Sequence, residues 1–258
     1  MSEPTVFLVG AGPGDPELLT VKALRLINNA QTVVYDRLVS KEILNLVPES
    51  ASKIYVGKKT GLHTLPQDEI NLLLVKLAKN GQSVVRLKGG DPGIFGRGGE
   101  EAEVLAEHGV AYELVPGITS AQACASSLGI PLTQRGISRK LTVLSGHCMN
   151  NRPLFLNRDD VADRDQTLVI YMGLNNAGEI RGQLLEADRD PDTPVAIIQN
   201  GSTPNQRNFI TNIDELPQVI ADYAIKSPAM IVIGDVVAMA GLGENIVNAA
   251  LAELGELA

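Results

Sequence analysis

The chain has no tryptophan, and aromatic residues make up only 3% of its 258 positions. A protein so poor in rings lacks the platforms on which successive bases stack, which speaks against a single-stranded nucleic-acid binder. Its core must be aliphatic, and the 44% apolar content is that of a globular chain. Cysteine is scarce too: Cys124 and Cys148 are the whole complement, with no Cys-x-x-Cys pair. Two cysteines cannot build a disulfide framework or, alone, a structural zinc site, so reduced thiols in the cytoplasm and no metal are expected. Positive charge is also in deficit, with 22 Lys+Arg against 30 Asp+Glu, a net charge of −8. That balance disfavours a general nucleic-acid or membrane binder. No apolar run approaches a membrane span. The opening MSEPTVFLVG has neither a basic stretch nor a cleavage site, so no signal peptide is expected.

The deficit is uneven. Residues 1–145 carry 15 basic and 14 acidic side chains, whereas residues 146–258 carry 7 and 16. Anionic ligands should therefore meet the first half. Apolar strand-like runs at 6–10, 32–36, 54–57, 83–89 and 111–117 alternate with helix-like PELLTVKALRLINNA, DEINLLLVKLAK and GEEAEVLAEHG. Such alternation predicts an α/β half with a mostly parallel sheet. A small-residue helix is expected over 118–130. Strands are expected at 141–146, 167–173, 194–201, 206–211 and 229–237, and a solvated loop at 157–166. The length suits two domains of ordinary size, read as 1–118 and 119–258, with a cleft between them.

Two glycine-rich turns follow predicted strands. FLVGAGPGD (7–15) has the first two glycines of a dinucleotide fingerprint, Gly10 and Gly12, but Asp15 stands where the third belongs. A carboxylate there would repel pyrophosphate, and Pro13 removes an amide donor from the loop. Asp36, closing VVYD, occupies the place of a ribose-binding acid. An NAD(P)-dependent oxidoreductase is therefore an alternative, disfavoured by Asp15, and a plain strand–turn–helix connection is another. The second turn, VVRLKGGDPGIFGRGGEE (84–101), is more informative. Gly89 and Gly90 let a ligand touch backbone, Asp91-Pro92 starts a turn, and glycines bracket Arg97. By composition Met172 is a core residue, Asp36 serves equally as a helix cap, Lys58 and Lys59 as a solvated turn, and Arg139 and Lys140 as surface charge.

Taken with YDRLVS (35–40), GKKTG (57–61), VPGITSA (115–121), GIPLTQRG (129–136), LSGH (144–147), YMGL (171–174) and QNGST (199–203), these turns are specific. The chain resembles the tetrapyrrole (corrin/porphyrin) methylases, and among them the uroporphyrinogen branch. No stretch resembles the dehydrogenase–chelatase half of fused sirohaem synthases. The resemblance implies two α/β domains with mostly parallel or mixed sheets, the tetrapyrrole on the N-terminal side of the cleft and S-adenosylmethionine at the domain interface. It implies methylation of uroporphyrinogen III to precorrin-2 for sirohaem- or cobalamin-type biosynthesis, with S-adenosylhomocysteine as the other product, no metal, and a cytoplasmic homodimer. A methylase of a later corrin intermediate is the nearest alternative. An RNA methylase is disfavoured by charge, and a non-catalytic binding protein by the two glycine-rich loops.

The resemblance also assigns residues. Asp36, Lys58, Arg97 and Glu100 become catalytic: Asp36 as base, Lys58 as proton donor or anchor, Arg97 as a carboxylate fork that could also assist proton removal. Pro13, Gly89, Gly90, Asp91, Ile94, Thr119, Ser120, Met172 and Gly201 line the cofactor. Arg37, Lys58, Arg97, Arg135, His147 and Met172 meet the substrate. Asp91, as a loop carboxylate, is expected to face the donor's cation or amino group and to matter little to the fold.

Overall fold

The computed structural model describes residues 4–57, 65–147 and 154–241. Lys58, Lys59, His63 and Cys148 lie outside them. The chain divides into two compact units, Met1–Ser120 and Ala121–Ala258.

The first unit runs β1 (Thr5–Gly10), α1 (Val21–Asn28), β2 (Thr32–Tyr35), α2 (Lys41–Leu44), β3 (Ser52–Tyr55), α3 (Gln67–Lys79), β4 (Val84–Lys88), α4 (Gly98–Glu107) and β5 (Ala111–Val115). Its sheet has the order β3-β2-β4-β1-β5 with every pairing parallel. Side-chain alternation sends Val9, Ala11, Val33 and Leu87 to one face, over Ala23, Ile27 and Ile43. Val6, Leu8, Val34 and Val84 go to the other, over Ile70, Leu74 and Leu105. Every fully buried side chain of the two clusters is aliphatic, and Phe7 and Tyr35 pack on the first of them only partly buried.

The expected first helix is shorter than its sequence. Asp15 accepts a hydrogen bond from the Glu17 amide and caps a single 3-10 turn at Pro16–Leu18. Thr20 then caps α1 through the Ala23 amide. Asp15, which spoils the dinucleotide fingerprint, is thus a capping residue.

The second unit contains α5 (Ser120–Ser126), β6 (Lys140–Ser145), α6 (Arg158–Val161), β7 (Gln166–Tyr171), α7 (Ala177–Glu186), β8 (Pro194–Gln199), β9 (Arg207–Asn212), α8 (Leu216–Asp222) and β10 (Ala229–Ile233). The helix α5 begins on the last residue of the first unit. The sheet order is β6-β7-β10-β8-β9, parallel at β6–β7 and antiparallel elsewhere. The stretch at 157–166 is not simply a loop: Asn157 caps α6, and Val161 is fully buried under α7. Charges flank that one apolar residue, so the pattern hid a one-turn helix. Among the described residues no helix is long and apolar enough to cross a membrane.

Backbone convergence sets the geometry of the first unit. Gly12 and Gly90 form an antiparallel bridge, with the Gly90 amide donating to the Gly12 carbonyl at 2.6 Å and the return bond at 3.1 Å. A Cβ on Gly117 would stand 2.4 Å from the Gly90 carbonyl oxygen, and one on Gly10 would stand 2.5 Å from the Gly117 nitrogen. By contrast, a Cβ on Gly182, inside α7, would meet nothing. Gly117→Ala should therefore lower the unfolding free energy by about 1–3 kcal/mol, the usual cost of overpacking. Gly182→Ala should raise it by roughly 0.5–1 kcal/mol. Urea titrations of both variants check this, and a neutral Gly117→Ala would mean that the strand ends are not so tightly joined.

Candidate active site

In parallel sheets, ligands bind beyond the carboxyl ends of strands. The first unit's sheet turns this rule into a residue list. β2 ends beside β4, and β4 beside β1, so Asp36, the Gly89–Asp91 turn and the Gly12–Pro13 turn emerge next to one another. β5 adds the segment that leads to Thr119 and Ser120. The Ser120 Oγ lies 3.4 Å from where a Cβ on Gly90 would be, and Gly90 sits at φ +68°.

The second unit offers a comparable edge. β10 runs against both β7 and β8, so those two strands point the same way, and β6 is parallel to β7. His147, Met172 and Gly201 each follow the carboxyl end of one of these strands. Within this unit the Ala121 amide donates to the Tyr171 hydroxyl at 3.0 Å.

The backbone is strained along both edges. Seven described non-glycine residues have positive φ, and five of them are Phe95, Arg97, Met172, Asn200 and Ser202. Strain of this kind costs about 1–3 kcal/mol per residue and gathers at functional sites. Met172 is no core residue: it is 50% exposed, and Ile94 is 43% exposed. Apolar side chains held out of the core in this way, beside backbone a ligand can approach, fit a cofactor with an apolar body. Gly201 has a packing role of its own, because a Cβ there would stand 2.3 Å from the Cys124 sulfur. Burial pushes the Cys124 thiol up to about 12, so it is an inert packing group.

Several expected roles change. Asp91 is a strut of the fold. One carboxylate oxygen accepts from the Gly93 amide at 2.7 Å and the other from the Gly117 amide at 3.1 Å. Both oxygens are engaged by backbone, so the carboxylate ties the turn after β4 to the end of β5. Arg97 is paired with its neighbour on α4. Glu100 bonds it through Nε at 2.8 Å and Nη2 at 2.6 Å. That bond raises its pKa above the ordinary arginine value, and it correspondingly lowers that of Glu100. The guanidinium is half exposed and remains a cation that can fork a carboxylate.

Arg135 is not brought to the edge that holds Met172. It lies in the exposed turn closed by the Gln134–Ser138 bridge, and the Ser138 hydroxyl meets that of Thr167 at 2.8 Å, at the amino ends of β6 and β7. Arg37 is exposed, one residue past Asp36. Lys58 lies outside the described residues. Asp36 is not a helix cap for α2, which Ser40 caps. Its Oδ1 instead accepts from the Leu38 amide at 3.0 Å, and its Oδ2 lies 3.1 Å from Arg86 Nη2.

Arg86 leads to residues inside the 84–101 stretch to which the sequence reading gives no role. It is buried, as are Lys88 on the same face of β4 and Glu101 on α4. Glu101 Oε1 accepts from Arg86 Nε at 3.0 Å, Lys88 Nζ at 2.8 Å and Gln67 Nε2 at 3.3 Å. Burial beside Arg86 lowers the Lys88 pKa, against the opposing pull of Glu101. The signal was present in the sequence. VVRLK sets two cations at alternate positions of a strand flanked on both sides, where charge must be paired.

A family model for Tetrapyrrole (Corrin/Porphyrin) Methylases matches residues 5–217. The chain belongs to this family. A siroheme synthase of Pseudomonas fluorescens (strain SBW25) is 50% identical over 234 residues, covering 91% of this chain and 50% of the relative. The chain thus spans about half the length of the curated relatives it matches. A crystal structure of uroporphyrin-III C-methyl transferase from Thermus thermophilus, complexed with S-adenyl homocysteine, has a TM-score of 0.78 at 42% identity. The match covers 91% of this chain and 99% of that one. Cobalt precorrin-4 methyltransferase, a cobalamin biosynthetic enzyme, has a TM-score of 0.80 at 27% identity, over 90% of this chain and 95% of that one. The two-unit α/β architecture is that of these methylases.

The strut role of Asp91 gives a direct expectation. Asp91→Ala strips two amides of their acceptor and should destabilise the chain by about 1–3 kcal/mol, while Asp91→Asn, which keeps one carbonyl oxygen, should recover part of the loss. Urea midpoints of the two variants decide. A midpoint for Asp91→Ala equal to wild type would return Asp91 to a purely ligand-binding role.

Proposed function

We propose that this chain is an S-adenosylmethionine-dependent C-methyltransferase that adds two methyl groups to uroporphyrinogen III, giving precorrin-2. The observation that carries this reading is the 42% identity, over nearly the whole of its length, to a uroporphyrin-III C-methyl transferase complexed with S-adenyl homocysteine. The lower identity of 27% to the cobalt precorrin-4 enzyme favours the uroporphyrinogen substrate over a later corrin intermediate.

S-adenosylmethionine supplies an electrophilic methyl group on a sulfonium. In the first unit, Pro13, Gly89, Gly90, Ile94, Thr119 and Ser120 offer it backbone amides, small side chains and one exposed apolar contact. In the second, Met172 and Gly201 do so. The substrate is an electron-rich pyrrole macrocycle rimmed by carboxylate arms, so no metal or covalent nucleophile is required. This chain's task is to orient the macrocycle and accept the proton that leaves it. Asp36 is the proton acceptor, held by the Leu38 amide and Arg86. Arg97 forks a carboxylate arm, with Glu100 holding the guanidinium in plane. Arg37, Lys58 and His147 supply further polar contacts to the arms. The resemblance also supports a cytoplasmic homodimer.

The decisive experiment is anaerobic incubation with S-adenosylmethionine and uroporphyrinogen III, with a tetrapyrrole heavier by two methyl groups as the expected product. S-adenosylhomocysteine should raise the melting temperature and NADH should leave it unchanged, because only a ligand of the native state stabilises it. The reverse pattern of thermal shifts would favour the dinucleotide reading.

Arg97→Ala should fold normally and still bind S-adenosylhomocysteine. It should lose about 30-fold or more in methyl transfer if the fork, worth about 2–5 kcal/mol, is felt in the transition state. Arg97→Lys should recover only part of this. Activity of Arg97→Ala equal to that of the surface control Arg158→Ala would move the carboxylate arms away from this loop.

A further inference from the structure

The most constrained polar group in the first unit is the Glu101 carboxylate, which is fully buried. One of its oxygens takes all the hydrogen bonds, from Arg86, Lys88 and Gln67, and the other is buried with no partner among the described residues. Burying a carboxylate with half its acceptor capacity unused is costly. Stability alone does not account for it, since a buried ion pair is often replaceable by apolar groups with little loss. What the arrangement does achieve is orientation. The Arg86 guanidinium is held at three corners: Nε by Glu101 at 3.0 Å, Nη1 by the Leu87 carbonyl at 2.8 Å, and Nη2 by Asp36 at 3.1 Å. Two of those partners are interior and fixed. Only Asp36, with a quarter of its side chain exposed, reaches the edge where the ligand loops emerge.

We propose that Glu101 is a positioning residue: it fixes the Arg86 guanidinium, and Arg86 in turn fixes the Asp36 carboxylate in the orientation that proton removal requires. Lys88 is the counter-charge that makes this tolerable. With it the cluster holds two cations, Arg86 and Lys88, against two anions, Asp36 and Glu101. Asn71, which accepts from Gln67 at 2.9 Å, orients the third donor to Glu101. The role assigned to Asp36 rests on the methyltransferase reading; the cluster itself does not.

The test compares two replacements. Glu101→Gln keeps an acceptor for Arg86 Nε and loses the charge. The pair Lys88→Met with Glu101→Leu removes one cation and one anion together, so no uncompensated charge is left buried and folding is preserved. Its urea midpoint is expected to fall modestly, because Arg86 Nε and Gln67 Nε2 lose an acceptor, with a cooperative transition retained, and S-adenosylhomocysteine affinity in both variants should stay within about twofold. In the paired variant kcat should fall on the order of 100-fold with KM nearly unchanged, the scale of loss for a misplaced reacting group. Glu101→Gln should fall between. In an Asp36→Asn background, the paired change should cost nothing further, because both act on one step. A paired variant with wild-type kcat, or losses that add to those of Asp36→Asn, would overturn the proposal. An independent arm needs no substrate: the Arg86 Nε–H signal of the ligand-free protein, assigned by its loss in Arg86→Lys, should exchange slowly in wild type and rapidly in the paired variant. Rapid exchange in wild type would overturn the network even if methyl transfer were found. A slow signal in a wild type that transfers no methyl group would overturn the functional reading alone.

Discussion

At Gly10, Gly90 and Gly117, three strand ends come so close that a single methyl group on the first or the last would overlap backbone. Parallel strands are held about 4.8 Å apart by their ladders, and side chains normally keep the loops that leave them at a distance. Here the loops after β1 and β4 continue to pair with one another past the end of the sheet, through the Gly12–Gly90 bridge. The consequence is that these turns are tied to one another by backbone hydrogen bonds, where connecting loops usually are not. Asp91 reinforces it by spending both carboxylate oxygens on amides of the same region. The strained conformations of Phe95 and Arg97 just downstream are sustained because the loop that bears them is fixed at its base.

A second economy follows from burying β4. Its five residues are all buried, Arg86 and Lys88 included. Cations so placed need partners from the covering layer, and α4 supplies one in its first helical turn with Glu101. The same helix carries Glu100, which faces outward and holds Arg97. Adjacent glutamates on one helix thus serve opposite environments: one orders the interior beneath the loop, the other the side chain at its mouth. The helical period separates them by about 100°, enough to send one inward and one out.

How far this could be read from the chain depends on which residues carry regular signals. The strands of the first unit were legible because each is a short apolar run bounded by glycine, proline or polar turns. The loops that line the carboxyl edge were legible as motifs. Their physical content was harder to read. Asp91 looked like a ligand group because a carboxylate after two glycines has no packing partner in sequence; its partner, Gly117, arrives from another strand. Arg135 is read as a substrate contact because it lies within the motif GIPLTQRG, but in the second unit its turn stands at the amino ends of β6 and β7 and not at the edge that holds Met172. Composition alone makes Met172 a core residue, the resemblance places it at the ligand, and the backbone at φ +55° is what turns it outward. The one-turn helix α6 left too few residues for a period to appear. Each miss involves a long-range contact or a single dihedral, which local patterns do not encode.

The two sheets reach comparable carboxyl edges by different routes, and the difference is informative. In the first, all pairings are parallel, so every carboxyl end falls on one side without further arrangement. In the second, three of the four pairings are antiparallel, and a shared edge arises because β10 is inserted between β7 and β8 and opposes both. β10 is thereby buried on either flank, and its core residues Met230–Ile233 are uniformly apolar. It contributes no motif residue, yet it aligns the strands that deliver Met172 and Gly201. A strand with no chemistry of its own is in this way as necessary to the edge as those that carry the motifs. The same logic makes Glu101, which never reaches the surface, the residue on which the orientation of Asp36 depends.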